Sequence, residues 1–399
     1  MTDILAISHS CLVTVNRSIY RELVTLGWSI ELVIPQKIKI GDVDQGPEAK
    51  APEDPAMHYL PITSSHPRLY TYKGLIKLLN KLKPKIVLLE NGPASLLAIQ
   101  LGHWVKQNNS KLILIACDNL LPDFSYELMQ GHFKPALSTF LTFFLSNLVN
   151  QNINHIFVIS SDGIKVMNKL GYTGRVSQIP LGYNPKLFFR NETIKKEIRD
   201  RLGLKETTIA YFGRLTYEKG VHILIEALSH IKDLPWQLLL DRFNTYTNPY
   251  CQKLQKLIEE KGLISRVVYF DASHDEMPAY MNAADIVVLP SISTPMWKEQ
   301  YGRVAPEAMA CGRLVIASDC GALPELIGEA GLVFPEKDVN KLIELLRTAL
   351  MNTEIHQTCG ILAERRAKVF LSITKQKDLM HDVLSKLATP SLNLNKITK

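Results

Sequence analysis

Short apolar runs of strand length alternate with segments of helical periodicity along almost the whole chain. This rhythm restricts the fold more than any other feature of the sequence. A strand, a helix and a second strand close as a right-handed βαβ unit, and repeated units build a parallel sheet with helices on its faces. In the first half the expected strands are Ile4–Ser8, Ser29–Ile34, Lys85–Glu90, Lys111–Cys117, His155–Ser160 and Val176–Pro180. The helical segments between them are Val15–Leu26, Tyr72–Leu82, Ala94–Gln107, Lys134–Asn150 and Asp162–Leu170, with Gly27 and Gly171 placed as helix C-caps. A polar stretch with few apolar anchors, Asn184–Lys205, interrupts the rhythm and is read as the domain junction.

The alternation then restarts. Strands are expected at Thr207–Phe212, Trp236–Asp241, Val267–Asp271, Ile286–Pro290, Leu314–Ser318 and Gly331–Phe334. Helices are expected at Val221–Ile231, Tyr250–Glu260, Glu276–Asn282, Ala305–Cys311, Leu323–Ile327, Val339–Leu350, Ile355–Val369 and Thr374–Leu387, with a loose polar tail after them. The 399 residues suit two domains at roughly 100–200 residues each. The expected fold class is α/β, with two Rossmann-like, doubly wound parallel-sheet domains. The boundaries are 1–183, 184–372 and a returning helix with its tail at 373–399. Ligands of such sheets bind beyond the carboxyl ends of the strands.

Several classes are excluded. The first residues read as an apolar strand and not as a basic leader with a cleavage site. The apolar stretch Pro135–Val149 contains Ser138, Thr139, Thr142, Ser146 and Asn147, and falls short of the about 20 apolar residues a membrane span needs. The six cysteines form no C-x-x-C pair and no zinc spacing, so free thiols, no metal and a cytoplasmic location are expected. A formal net charge of +7 is too dilute for nucleic-acid binding. It suits an anionic small substrate, or peripheral contact with the acidic inner face of a membrane. Asp42-Val43-Asp44 has a metal-like spacing but reads as an acidic surface turn. Phe140, Phe143, Phe144 and Leu148 give one helix an apolar face, explained most simply by core packing and alternatively by contact with a lipid interface.

Two segments carry chemistry. In Gly213-Arg214-Leu215-Thr216-Tyr217-Glu218-Lys219-Gly220 a strand ends, the backbone turns, and two cations flank the start of a helix. That arrangement suits a diphosphate, although a βα loop with solvated cations is equally consistent with the spacing. In Glu299-Gln300-Tyr301-Gly302-Arg303-Val304-Ala305-Pro306-Glu307, Pro306 sits in the first helical turn and Glu307 beside it, with Glu299 in the preceding loop. The two carboxylates accept from hydroxyls and the amides of Tyr301–Val304 donate to them, which suits a polyhydroxyl ligand. Glu307 also complements a helix dipole.

These segments, with Ser318-Asp319-x-Gly321-x-x-Pro324-Glu325, Gly331-Leu332-Val333 and Ile179-Pro180-Leu181-Gly182-Tyr183-Asn184-Pro185, resemble glycosyltransferase family 4, the glycosyl transferases group 1. The likeness is close over about Ile156–Leu350 and, before residue 150, confined to the strand–helix rhythm. It implies a GT-B fold with a central cleft, and retaining, metal-independent transfer from a nucleotide-sugar donor. It assigns Arg214 and Lys219 to the donor diphosphate, Glu307 to the ribose, and Glu299 with the backbone of Tyr301, Gly302, Arg303 and Val304 to the sugar.

The chain departs from the family pattern in three places. The loop after the first strand, Ser8 to Arg17, lacks glycine, leaving Asn16 or Arg17 to reach a phosphate or to serve structure. Cys117-Asp118-Asn119 keeps the acid of a His-Asp pair without its imidazole, so Asp118 either joins catalysis or caps a turn, and His9 is an alternative imidazole. Leu240-Asp241-Arg242-Phe243-Asn244-Thr245 replaces a glycine-rich turn.

The expected function is hexose transfer to a lipid-linked or growing saccharide, in cell-surface polysaccharide or glycolipid synthesis. The alternatives are a non-catalytic nucleotide-sugar-binding protein and another GT-B enzyme such as a sugar-nucleotide epimerase. A dinucleotide dehydrogenase is not expected, because no G-x-G-x-x-G follows a strand.

Overall fold

The computed structural model describes residues 2–40, 43–66, 68–121, 133–242 and 249–389. The chain divides into two units, Met1–Ile179 with Ile373–Lys399, and Pro180–Ser372. The first unit contains a seven-stranded sheet in the order β5-β2-β1-β6-β7-β8-β9. These strands are β1 (Ile4–Ile7), β2 (Ile30–Pro35), β5 (Ala56–Leu60), β6 (Ile86–Leu89), β7 (Lys111–Ala116), β8 (His155–Val158) and β9 (Val176–Gln178), all paired in parallel. A hairpin of β3 (Ile38–Ile40) and β4 (Val43–Gln45) stands outside it.

Successive residues of the central strands face opposite ways and both faces are covered. Leu5, Ile7, Val87 and Leu89 join one core. That core is shared with α2 (Leu75–Leu82), α3 (Leu96–Asn108), α4 (Phe133–Val149) and α5 (Ser161–Lys169). Ile4, Ala6, Ile86 and Leu88 join the other, with α1 (Ser18–Val24) and the last helix, α14 (Ile373–Ala388). Burial on both faces explains why these strands read as continuous apolar runs. Met380 and Leu384 anchor α14 in this core, and Trp28 Nε1 donates to His381 Nδ1 at 3.0 Å.

The second unit repeats the plan with six parallel strands in the order β12-β11-β10-β13-β14-β15. They are β10 (Thr207–Tyr211), β11 (Trp236–Asp241), β12 (Val267–Phe270), β13 (Ile286–Leu289), β14 (Leu314–Ser318) and β15 (Leu332–Phe334). Its helices are α6 (Glu192–Leu202), α7 (Val221–Ser229), α8 (Pro249–Glu260), α9 (Met277–Ala283), α10 (Val304–Ala310), α11 (Leu323–Ile327), α12 (Val339–Met351) and α13 (Glu354–Arg366).

Four sequence expectations change. Asn184–Lys205 is not merely a polar junction, because it contains α6. Asn191 caps that helix by accepting from the Ile194 N–H at 3.0 Å, Gly203 ends it at φ 68°, and Ile198 supplies its buried contact. The caps compensate for a sparse apolar face. The helix expected from Val15 starts at Ser18, after two short 3-10 turns, Ser10–Leu12 and Thr14–Arg17. β5 was not expected, because at the sheet edge its residues are mostly half-exposed and form no apolar run. Asp44 lies in the β3–β4 hairpin, where Lys37 pairs with it at 2.9 Å, whereas Asp42 is outside the described residues. Among the described residues no helix is long and apolar enough to cross a membrane.

Candidate functional site

In the second unit β10 and β13 are neighbours, with Ile209 opposite Ile286. Parallel pairing brings the loops that leave their carboxyl ends to the same edge. The loop after β10 turns through Gly213 and a 3-10 turn, Tyr217–Lys219, and enters α7 at Gly220 with φ 67°. The Ile292 N–H donates to the Glu218 carbonyl at 2.8 Å, and a Cβ on Gly220 would lie 1.8 Å from the Pro290 carbonyl oxygen. Glycine is therefore required there by both the left-handed backbone and the close approach.

This contact joins the two motifs. Lys219 Nζ stands 2.6 Å from Glu299 Oε2, across 80 residues of sequence. Ser291 Oγ donates to the same oxygen at 3.0 Å, and the ammonium lies 5.1 Å from the centre of the Trp297 ring. The Glu299 backbone is fixed as well. Its carbonyl accepts from the Ala322 N–H at 3.1 Å, and a Cβ on Gly321 would lie 2.0 Å from that oxygen. Ser291 stands outside the sequence motifs, Trp297 sits beside the Glu299 segment, and Gly321 belongs to the Ser318–Glu325 motif. Ser291 and Gly321 lie just beyond the ends of β13 and β14, where loops of this sheet gather, and that position was the available signal.

Glu307 lies in the first turn of α10, buried, and burial pushes its carboxyl up to about 7 against the opposing charge of Arg303. Tyr301, Gly302, Arg303 and Val304 form the turn from Glu299 into that helix. Gly302 has φ 80°, and a Cβ there would press on Leu323 at 2.7 Å. Tyr301 is buried whereas Arg303 is exposed. Arg214 is exposed too, and its carbonyl accepts from Tyr211 Oη at 2.8 Å. No ion pair joins Arg214 to Glu299 or Glu307 among the described residues. Arg242 packs 5.3 Å from the Tyr269 ring centre, and residues 243–248 of that turn lie outside the described residues.

In the first unit, Asp118 follows β7. Burial raises its carboxyl, with Arg68 acting in the opposite sense. Its Oδ2 sits where a Cβ on Gly92 would be, 2.2 Å away. His9 is exposed, edge-on to Tyr70 with ring centres 6.5 Å apart.

Of the two roles left open for Arg17, phosphate contact or structure, its surroundings match the structural one. Arg17 is fully buried. Its Nε donates to the Cys11 carbonyl at 2.7 Å, Nη1 to the Ala49 carbonyl at 2.9 Å and Asp54 Oδ2 at 3.0 Å, and Nη2 to the Leu12 and Glu48 carbonyls at 3.0 and 2.9 Å. A guanidinium has five N–H donors and all are used. It gathers the Cys11 and Leu12 carbonyls, which holds this segment in 3-10 turns and delays α1. Asn16 Nδ2 likewise donates to the Ser10 carbonyl at 2.7 Å. The polar focus that the sequence did not reveal is Glu90, beyond β6. It accepts from Ser8 Oγ at 2.6 Å, from Ser10 Oγ at 2.5 Å and from Tyr20 Oη.

Residues 194–366 match the family model described as glycosyl transferases group 1. The D-inositol 3-phosphate glycosyltransferase of Corynebacterium jeikeium is 32% identical over 183 residues, 43% of this chain and 42% of that one. The chain thus spans less than half the length of the curated relatives it matches. Sucrose-phosphate synthase from Thermosynechococcus elongatus matches with a TM-score of 0.75 at 21% identity, over 97% of this chain and 99% of that one. Anabaena HepE in complex with UDP matches with a TM-score of 0.71 at 18% identity, over 97% and 100%. Residues 194–366 are thus similar to the glycosyl transferases group 1 family, in a chain with the GT-B fold.

Proposed function

We propose that the chain is a retaining, metal-independent glycosyltransferase. It moves a hexose from a nucleotide diphosphate sugar to a hydroxyl of a lipid-linked or growing saccharide, in polysaccharide or glycolipid synthesis, and makes peripheral contact with a membrane. The observation that carries this reading is the Lys219–Glu299 pair. A cation for a leaving diphosphate and a carboxylate for sugar hydroxyls are held in one network, fixed by neighbouring loops. The UDP complex of HepE supports a nucleotide-linked donor for this fold.

The roles follow from charge. Lys219 and Arg214 stabilise the negative charge that develops on the diphosphate as the glycosidic bond breaks. Glu299 accepts from sugar hydroxyls, and the turn Tyr301–Val304 offers backbone donors. Glu307 accepts from the ribose when ionised. The acceptor proton passes to the departing phosphate on the same face, so the chemistry rests on positioning rather than on a protein nucleophile. Asp118 belongs to the acceptor side of this scheme.

The test is turnover of a panel of nucleotide sugars by the purified chain, with product analysis. Transfer to a saccharide that Lys219→Ala and Glu307→Ala each strongly lower is expected. An epimerised nucleotide sugar as product, or full transfer by both variants, would overturn the assignment.

A further inference from the structure

The Lys219 ammonium is held by two groups of different kinds. It meets the Glu299 carboxylate at 2.6 Å, and it lies over the Trp297 ring, 5.1 Å from the ring centre. Its side chain is only 19% exposed, so water covers little of it. An ammonium has three N–H donors, and among the described residues its one ion pair is with Glu299.

The ring is carried to this place by a segment fixed at both ends. Near its start, the Ser291 carbonyl accepts from Ser318 Oγ at 2.5 Å. Ser293 then donates to the Glu336 carboxylate twice, through its N–H and through Oγ at 2.6 Å. The Glu336 N–H is in turn fixed by donating to Asp319 Oδ1 at 2.7 Å. At the far end, the Glu299 N–H donates to Cys320 Sγ at 3.4 Å. Between these ends the chain makes a tight turn. The Thr294 N–H donates to the Trp297 carbonyl at 2.7 Å, and the Trp297 N–H donates to the Thr294 carbonyl at 3.3 Å. Pro295 takes the second position of the turn, where its fixed φ is already suitable. Met296 stands at the tip, 68% exposed, while Trp297 is half-buried.

The choice of an aromatic ring has a physical consequence. An ammonium drawn out of water needs compensation, and a π face supplies it without carrying charge of its own. A second carboxylate in that place would hold Lys219 more tightly, but it would compete with any anion arriving at the site. An aliphatic side chain would remove water and give nothing back. The indole therefore keeps the ammonium in one place while leaving its charge for a ligand. The loss of lysine rotamer freedom is met on folding, before the ligand binds.

We propose that Trp297 is a positioning residue for Lys219, its ring holding the ammonium beside Glu299 so that the diphosphate of the donor meets a cation already in place. This rests on the transferase reading for the identity of the anion.

The experiment is a double-mutant cycle on the full chain. It is read by titration calorimetry with UDP, GDP and ADP as probes, at low ionic strength so that the weaker variants stay measurable. Trp297→Leu should weaken the diphosphate that the parent binds most tightly by about tenfold, and Trp297→Phe, which keeps a ring, by about threefold or less. In a Lys219→Met background both losses should fall below about twofold, because the ring then has no ammonium to hold. A merely structural role in the turn would weaken binding equally in both backgrounds. Equal losses overturn the proposal, and so does an unchanged affinity of Trp297→Leu. If the leucine variant fails to fold, the phenylalanine variant carries the cycle, and a loss that persists beside Lys219→Met overturns the proposal in the same way. Binding of none of the three diphosphates by the parent overturns the transferase reading together with this proposal, whereas additive losses overturn this proposal alone.

Discussion

Replacing Arg17 by methionine keeps most of the side-chain length and removes all five hydrogen bonds of the guanidinium. The carbonyls of Cys11, Leu12, Glu48 and Ala49 lose a donor in a buried site. Asp54 does not become an isolated buried charge, because Arg21 Nε still pairs with it at 2.7 Å and the Ala51 N–H donates to it at 2.9 Å. Breaking a buried ion pair costs ~3–5 kcal/mol, and the surviving Arg21 contact places this case near the low end, at about 3 kcal/mol. For a unit of this size ~1 kcal/mol lowers Tm by about 2–4 °C, so a fall of roughly 6–12 °C is expected. Calorimetry is the suitable assay, because the two units need not melt together and only the transition of the first should move. Burial alone would raise the Asp54 carboxyl, but Arg21, the Ala51 N–H and Arg17 together hold it below its usual value. Its contribution is therefore present above the unfolded carboxylate range near pH 4 and is lost as the pH falls through the folded value. The methionine variant should show a smaller acid-side loss than the parent. The donor KM should not change, because Lys219, Glu299 and Glu307 lie in the other unit. An unmoved melting transition with a raised KM would refute this reasoning and return Arg17 to the phosphate.

Three further outcomes are expected. Glu307 has its carboxyl raised to about 7 by burial, with Arg303 opposing, so its contribution to stability is full below about pH 4 and is lost as the pH rises through about 7. Donor binding, which uses the ionised form, should strengthen over the same rise, and Glu307→Gln should flatten both trends in melting and titration calorimetry. Lys219→Ala should lower kcat by about 10²–10³, the scale for one group aimed at developing charge, and stopped assays across donor concentrations would read it. Gly92→Ala should act on transfer as Asp118→Asn does, since the added carbon lies 2.2 Å from Asp118 Oδ2. Normal steady-state kinetics for Gly92→Ala beside an inactive Asp118→Asn would show that the carboxylate shifts without consequence.

The elements were legible wherever burial on both faces made strands into apolar runs. β1, β6, β7, β10, β11, β13 and β14 are of this kind, and each lies within or at the expected span. What escaped was held by other means. α6 stands on its caps, and β5 is an edge strand with no apolar run to reveal it. The face of α4 was visible as a periodicity, but periodicity does not say which side of a helix meets the core. In the candidate site Lys219, Glu299 and Glu307 could be named from residue type and motif, and Gly321 as part of a motif, whereas Ser291 carried no such signal.

The sequence by itself determined two α/β units, because alternating periods of two kinds admit few other packings. It also determined a cation-bearing loop and a carboxylate-bearing segment within one of them. The tertiary structure decided that these meet. β13 is added beside β10 after β11 and β12 have been laid on its other side, so residues 80 apart in the chain come to 2.6 Å. Strand order is a property of the whole sheet and leaves no local trace. The same holds for Arg17, whose five donors found five acceptors only when the segments Cys11–Leu12, Glu48–Ala49 and Asp54 folded around it.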